Sequence, residues 1–196
     1  MTNNDILRRL RYSFSFDDNK VMELFASGGL KANRTQISAW LKKDDDPACI
    51  ELEDVNLAAF LNGFINEKRG KKDGPQPKPE SELNNNLIFM KLRIALNLKD
   101  DDILAILKSV DLIIGKPELS AFFRRYDHKN RRHCKDQVLR NFLHGVQIKY
   151  HSAKKNSTPP KKAVVMKEKT TTTKKDQPTL KWASAIALKN STKNNK

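Results

Sequence analysis

The side chains in this chain that could do chemistry are mainly cationic, and many of them recur 82 residues apart. Clusters of lysine and arginine bind polyanions such as nucleic-acid phosphates. The same side chains near helix ends also oppose the helix macrodipole and stay solvated, an alternative that the sequence leaves open. The candidate contacts within residues 1–70 are Arg34, Lys42 and Lys43. Those within residues 84–151 are Lys116, Arg124, Arg125, Lys129, Arg131, Arg132 and Lys135.

Two equivalent loops carry opposite charge. Residues 44–54 contain six acidic residues and no lysine or arginine, whereas residues 126–136 contain four cations and two acids, with His128 and His133 available to titrate. The basic loop is a candidate phosphate contact. Two other interpretations remain open: both loops are simply solvated, or they pair electrostatically within one molecule or across a dimer.

Catalysis and metal binding have no comparable signature. His128, His133 and Cys134 lack the spacing of a zinc finger or of a zinc-binding helix. Acidic loops and helix caps account for Asp54, Asp136 and the run at 44–46. The sequence contains no glycine-rich phosphate loop, Gly-x-Ser-x-Gly elbow or Cys–His arrangement. We therefore expect no enzymatic activity, no metal site and no cofactor.

The elements that position the cations are themselves repeated. Residues 3–68 return at 85–150 without a gap, so that Leu10-Arg11 returns as Leu92-Arg93 and Trp40 as Phe122. A long period met only twice indicates a duplicated domain rather than a solenoid. Apolar residues follow helical spacing in four segments of each copy. The sequence predicts an all-α fold of two similar four-helix units, residues 1–70 and 84–151, packed about a pseudo-twofold axis and joined by a Pro/Lys-rich linker at 71–83.

Several local features of the units are also predicted. Asn3 or Asn4 should cap the first helix, Asp54 should cap the fourth, and Pro117 should begin the third helix of the second copy. Trp40 and Phe122 should be buried at equivalent positions. Gly63 and its equivalent Gly145 indicate close helix approach, either within each unit or at the contact between units.

The second and third helices of each copy have helix-turn-helix character. In that motif the later helix enters the major groove of DNA. Gln36 would join Arg34, Lys42 and Lys43 as a contact in the first copy. Any packed trio of short helices can imitate this pattern, so the interpretation remains a hypothesis.

Residues 152–196 form a lysine-rich tail with a net charge of +10 out of +15 for the whole chain. Its composition predicts disorder. A segment at 178–189 has good helix formers and a lone tryptophan, so it could fold as a short helix on a protein partner. The chain begins without a secretory leader, contains no apolar run long enough to span a bilayer, and has two cysteines without metal spacing. These features predict a cytoplasmic protein with reduced thiols.

The chain contains seven distinctive stretches: Asn-Asp-Ile-Leu-Arg at 4–8, Leu-Asn-Gly-Phe-Ile-Asn-Glu-Lys-Arg-Gly at 61–70, Asn-Asn-Asn at 84–86, Lys-Leu-Arg-Ile-Ala-Leu at 91–96, Asp-Asp-Ile-Leu-Ala-Ile-Leu at 101–107, Glu-Leu-Ser-Ala-Phe-Phe-Arg at 118–124 and Asp-His-Lys-Asn at 127–130. Together they resemble the bacterial YehS family. The resemblance covers about residues 2–150 and implies a small cytosolic protein with a duplicated domain of unknown function. It supplies no catalytic or binding residues, and the basic tail extends past the shorter members of that family.

The charge pattern favours a nucleic-acid-associated protein, binding RNA or DNA through its helical core, with the tail adding non-specific phosphate affinity. The alternative is a protein-interaction scaffold or regulator that binds no nucleic acid. Salt dependence distinguishes them, because polyanion binding weakens steeply with salt through counterion release. The sequence does not predict the oligomeric state.

Overall fold

The computed structural model describes residues 1–156, with side chains to residue 151. This part of the chain contains helices and no strands, which confirms the all-α prediction. Each helix of the first copy begins 82 residues before its equivalent in the second. The tail and its predicted helix at 178–189 lie outside the described residues. The helices are α1 (Asn3–Phe14), α2 (Asp18–Ser27), α3 (Arg34–Leu41), α4 (Asp54–Arg69), α5 (Asn85–Ala95), α6 (Asp100–Lys108), α7 (Lys116–Phe122) and α8 (Asp136–Asn156).

Three of the predicted helix starts were wrong. Thr2 caps α1, because its hydroxyl accepts from the backbone N–H of Asp5 at 3.2 Å. Glu53 occupies the N-cap of α4 without a side-chain capping bond, and Asp54 is the first helical residue. In the second copy α7 begins one residue before Pro117.

The asparagines predicted as caps instead make long-range bonds. The amide of Asn4 is buried, and its Nδ2 donates to the carbonyl oxygens of Trp40 at 2.9 Å and Ile50 at 2.8 Å. Its Oδ1 accepts from the backbone N–H of Leu52 at 2.9 Å. One side chain therefore satisfies three backbone groups, two of them through buried bonds, and ties the loop after α3 to the first turn of α1.

The two copies pack reciprocally into one compact unit. Helix α1 packs against α8, and α4 packs against α5, so exchanging the copies turns one contact into the other. Two equivalent hydrogen bonds cross between the copies. The backbone N–H of Leu83 donates to Asp54 Oδ2 at 2.8 Å, and the amino group of Met1 donates to Asp136. This reciprocity is the packing of a pseudo-twofold arrangement, as predicted.

The core of each copy is built around aromatic rings and one glycine. Trp40 and Phe122 are buried, as predicted. A Cβ placed on Gly63 would lie 1.7 Å from the carbonyl oxygen of Leu24, on α2 of the same copy. A Cβ on Gly145 would lie 2.6 Å from the carbonyl oxygen of Ile106. Both glycines therefore allow close helix approach within a copy, which settles the two interpretations in favour of the first.

The linker closes over the contact between α4 and α5. Lys91 is buried there, and its ammonium donates to Asn62 Oδ1 and pairs with Glu80 Oε2 at 2.9 Å. Glu80 belongs to the linker, so this ion pair fastens the linker to α5. Among the helices of residues 1–156, none combines the length and the apolar character that a membrane span requires.

Candidate nucleic-acid interface

The loop between α7 and α8 gathers five of the predicted cations at one corner of the second copy. Asn86 on α5 holds both ends of this loop. Its buried Nδ2 donates to the carbonyl oxygens of Phe122 and Arg132, each at 2.8 Å, and its Oδ1 accepts from the backbone N–H of Cys134 at 3.0 Å. The loop is therefore fixed to the folded body at two points, and its side chains project from a defined backbone. We call these five cations the second-copy basic surface: Arg124, Arg125, Lys129, Arg131 and Arg132.

A cationic depression of about 440 Å³ lies between this loop and the start of α7. Arg124 donates to the carbonyl oxygen of Asn130 at 3.3 Å. Arg132 lies 3.6 Å from Glu118, and the side chains of Arg132 and Glu118 are each more than half exposed. At 3.6 Å the Arg132–Glu118 pair is longer than a hydrogen bond, so it leaves the N–H donors of Arg132 to other partners. The depression is lined by Pro117, Glu118, Ala121, Arg124, Lys129, Asn130, Arg131 and Arg132.

An aromatic depression of about 280 Å³ adjoins the first. Arg124 and Arg131 line both depressions and form the wall between them. The guanidinium of Arg131 lies 4.9 Å from the ring centre of Tyr126, within cation–π range. The remaining lining includes Phe122, Phe123 and Arg125 from the chain around the end of α7, and Asn84, Asn86, Leu87 and Met90 from the start of α5.

Two predicted residues of the second copy do not join this surface. Lys116 pairs with Asp101 at 2.8 Å, so its ammonium is directed towards α6. This hydrogen bond from Lys116 to the carboxylate raises the pKa of Lys116. Lys135 is exposed just before α8 and lines neither depression.

The equivalent corner of the first copy is neutralised by its own acids. Lys42 pairs with Asp46 at 3.3 Å, and Arg8 pairs with Asp44 at 3.0 Å. The pKa of Asp46 is lowered, first by the backbone N–H of Ala48 and then by Lys42. The sequence prediction included Lys42 and Lys43 as contacts beside the second-copy cations, whereas the structure pairs Lys42 with an acid of its own loop.

Of the other predicted contacts in the first copy, Arg34 and Gln36 bond to residues of the same copy, and Lys43 is exposed to solvent. Arg34 donates to Asn19 Oδ1 at 2.7 Å. The side chain of Gln36 accepts from the backbone N–H of Asn33 at 3.0 Å and so completes the capping box of α3. Lys43 is exposed beyond the end of that helix.

The two copies also differ in net charge, the first being close to neutral and the second positive. Residues 1–70 contain ten lysines and arginines against eleven acids, and residues 84–151 contain thirteen against seven. Among the described ion pairs none joins the acidic loop at 44–54 to the basic loop at 126–136. Electrostatic pairing of the loops within one molecule is therefore not seen in this part of the chain, and the second-copy basic surface remains open.

Charge alone did not identify the aromatic residues that lie beside the second-copy basic surface. Tyr126 and Phe123 lie among the arginines, and neither was a predicted contact. The signal was present in the order Phe-Phe-Arg-Arg-Tyr at 122–126, because aromatic rings interleaved with cations are typical of nucleic-acid-binding surfaces. Within the described residues, no group of three or more His, Cys, Asp or Glu side chains is placed to hold a metal ion.

Cys134 ends the basic loop as an inert thiol. Burial, and then the nearby carboxylate of Asp136, raises the pKa of Cys134 to about 12. Cys49 is only half-buried and is also unpaired. We expect iodoacetamide at about pH 8 to alkylate Cys49 in the folded protein, and Cys134 only after unfolding restores a thiol pKa near 8.5. Mass spectrometry of the two cysteine peptides checks this, and rapid labelling of both in the folded protein would contradict it.

The repeated helices match a known family twice. A family described as "Protein of unknown function (DUF1456)" matches residues 3–70 and 85–151. The chain belongs to this family. Each match covers one four-helix copy, so the family unit coincides with the structural repeat.

A curated relative supports the same assignment. The chain is 44% identical to the uncharacterized protein YehS of Escherichia coli (strain K12) over 155 residues, which span 79% of this chain and 99% of the relative. The resemblance to the YehS family is thereby confirmed. No solved structure matches the chain. Neither comparison assigns an activity, so function has to be argued from the second-copy basic surface.

Proposed function

We propose that this chain binds nucleic acid through the second-copy basic surface. The observation that carries the proposal is the convergence of five cations, four of them arginines, around two adjoining depressions on one anchored loop. The planar fork of arginine suits phosphate oxygens, and side chains on an anchored backbone can hold a fixed geometry. The proposed setting is the cytoplasm, which the two unpaired cysteines support.

The loop, rather than a recognition helix, is the proposed contact. Helix α7 has only seven residues, and its exposed Glu118 accepts from the backbone N–H of Gly115 at 3.1 Å. A carboxylate at this position would repel phosphates. All five cations lie in the loop beyond Phe122, the last residue of α7. The loop is therefore the main contact in this proposal, and a helix-turn-helix contact through α7 is subordinate to it.

The tail is proposed to add generic affinity. Its charge of +10 is large enough to neutralise many phosphates, but the proposal assigns it no selectivity. Removing residues 152–196, which carry this charge, should weaken binding to every polyanion to a similar degree and flatten the salt dependence.

Matched pairs of substitutions test the surface itself. Arg124→Gln with Arg125→Gln removes two cations from the second copy, and Lys42→Gln with Lys43→Gln removes two cations from the equivalent positions of the first. We expect the second-copy pair to weaken binding by about tenfold at low salt and to reduce the salt slope by about two. The first-copy pair should change binding by less than about twofold, since Lys42 is already paired. Fluorescence anisotropy of the full chain on duplex DNA, single strands and hairpin RNA across a salt series gives both values.

The first-copy pair and polyglutamate serve as controls. An equal loss in both double variants would mean that net charge, and not this surface, drives binding. Equal affinity for polyglutamate would indicate a general binder of acidic chains. If the full chain binds no nucleic acid at low salt, the proposal fails and the protein-interaction scaffold replaces it.

A further inference from the structure

Tyr126 is left in solvent although it has a large apolar ring. The residue is 84% exposed, more than any other large hydrophobic residue in the described part of the chain. Its neighbours Arg125 and Asp127 are also strongly exposed and lie 3.8 Å apart. An aromatic ring held this far out of the core contributes little to folding through burial.

The first copy shows that the fold does not require this ring. Asp44 occupies the position equivalent to Tyr126, and Cys49 the position equivalent to Arg131. There the corner is closed by the ion pair of Asp44 with Arg8, and Arg8 corresponds to Met90 in the second copy. The same loop thus forms with an acid and a thiol where the second copy has a ring and a guanidinium.

The ring and the cations of the second copy are arranged in adjoining compartments. Arg131 lies 4.9 Å from the centre of the Tyr126 ring, which orients the ring beside the aromatic depression. On the other side of Arg124 and Arg131, the cationic depression holds Lys129 and Arg132. A flat aromatic group on one side and an anion on the other would each meet a matching surface.

We infer that this surface binds unpaired nucleotides, with a base stacked on Tyr126 and the neighbouring phosphates on Arg124, Arg131 and Arg132. The inference rests on the proposed function and specifies its substrate class. In a duplex the base faces are already stacked on each other, so a duplex offers this corner its phosphates alone. A single strand can turn a base onto the ring, and stacking of this kind tolerates any base because every base has a π-face.

The test separates base stacking from phosphate binding. Three probes are used with the full chain: a single strand of oligothymidylate of about 12 nucleotides, an abasic strand of the same length, and a duplex of that length. Tyr126→Leu should weaken binding of the oligothymidylate by about tenfold and change binding of the abasic strand and the duplex by less than about twofold. Tyr126→Phe should restore binding. Ile113→Ala, which alters another strongly exposed apolar residue outside both depressions, should change none of the three affinities.

Each outcome decides between the inference and the proposed function. Circular dichroism should show an unchanged melting temperature for Tyr126→Leu, because the ring is exposed. If the unsubstituted chain binds all three probes and Tyr126→Leu weakens none of them, or weakens all of them equally, stacking on Tyr126 is wrong and the proposed function stands. If the unsubstituted chain binds none of the probes at low salt, both fail.

Discussion

Replacing Gly63 with alanine is expected to destabilise the protein by about 3 kcal/mol or more. The added Cβ would lie 1.7 Å from the carbonyl oxygen of Leu24 and 3.1 Å from the backbone nitrogen of Gly28. Both are backbone atoms, so no change of rotamer relieves the overlap and α2 must move away from α4. Overpacking of a core typically costs about 1–3 kcal/mol and occasionally more. A collision between two backbones lies above that range, so a net loss of about 3 kcal/mol remains after the gain of about 1 kcal/mol that alanine brings to a helix.

Urea unfolding followed by circular dichroism measures this loss. Gly145→Ala should have an intermediate effect. Its Cβ would lie 2.6 Å from both the carbonyl oxygen and the Cγ2 atom of Ile106, so the substitution should cost about 1–2 kcal/mol. Gly115→Ala is the matched control: the nearest atom to its Cβ is a proline side-chain carbon at 3.5 Å, an ordinary contact. A loss at Gly63 no larger than at Gly115 would mean that α2 and α4 do not approach as described.

Truncating the aromatic ring of α3 or α7 is the second large effect. Trp40 is 5% exposed and packs against Phe25 with ring centres 5.2 Å apart, and Phe122 is 8% exposed with Phe89 at 6.4 Å. Trp40→Ala and Phe122→Ala should each lower the free energy of unfolding by about 3–5 kcal/mol. Trp40→Ala should have the larger effect because its ring is bigger and in closer contact.

Circular dichroism is again the appropriate probe, since one variant removes a tryptophan. Ile113→Ala gives the reference for an exposed apolar side chain and should change stability by less than about 0.5 kcal/mol. Losses below about 1 kcal/mol for the aromatic variants would show that these rings are not part of the core.

The helical core could be predicted from sequence because its signals are local or repeated. The offset of 82 residues aligned every helix start of one copy with the other, and apolar spacing placed Trp40 and Phe122 inside. The caps were predicted less well. Asn3 donates to Asp54 at 2.7 Å, across a separation of 51 residues, and no local pattern distinguishes such an asparagine from a helix cap.

The candidate site shows the same division between local and long-range information. Charge identified the loop at 126–136, because unlike composition at equivalent positions is visible in the sequence. Three-dimensional partners then removed some candidates: Asp101 holds Lys116, and Asp46 holds Lys42. The exposure of Tyr126 and the anchoring of its loop by Asn86 are three-dimensional features that no local pattern in the sequence shows.

Joining two copies in one chain also determines how many equivalent corners the molecule presents. A symmetric dimer of identical units would present the same corner twice and could hold two ligands, or bridge two segments of one. Here the reciprocal packing is kept, but one corner is acidic and the other is basic. Under the proposed function, the molecule therefore has one basic binding corner where a symmetric dimer of identical units would have two.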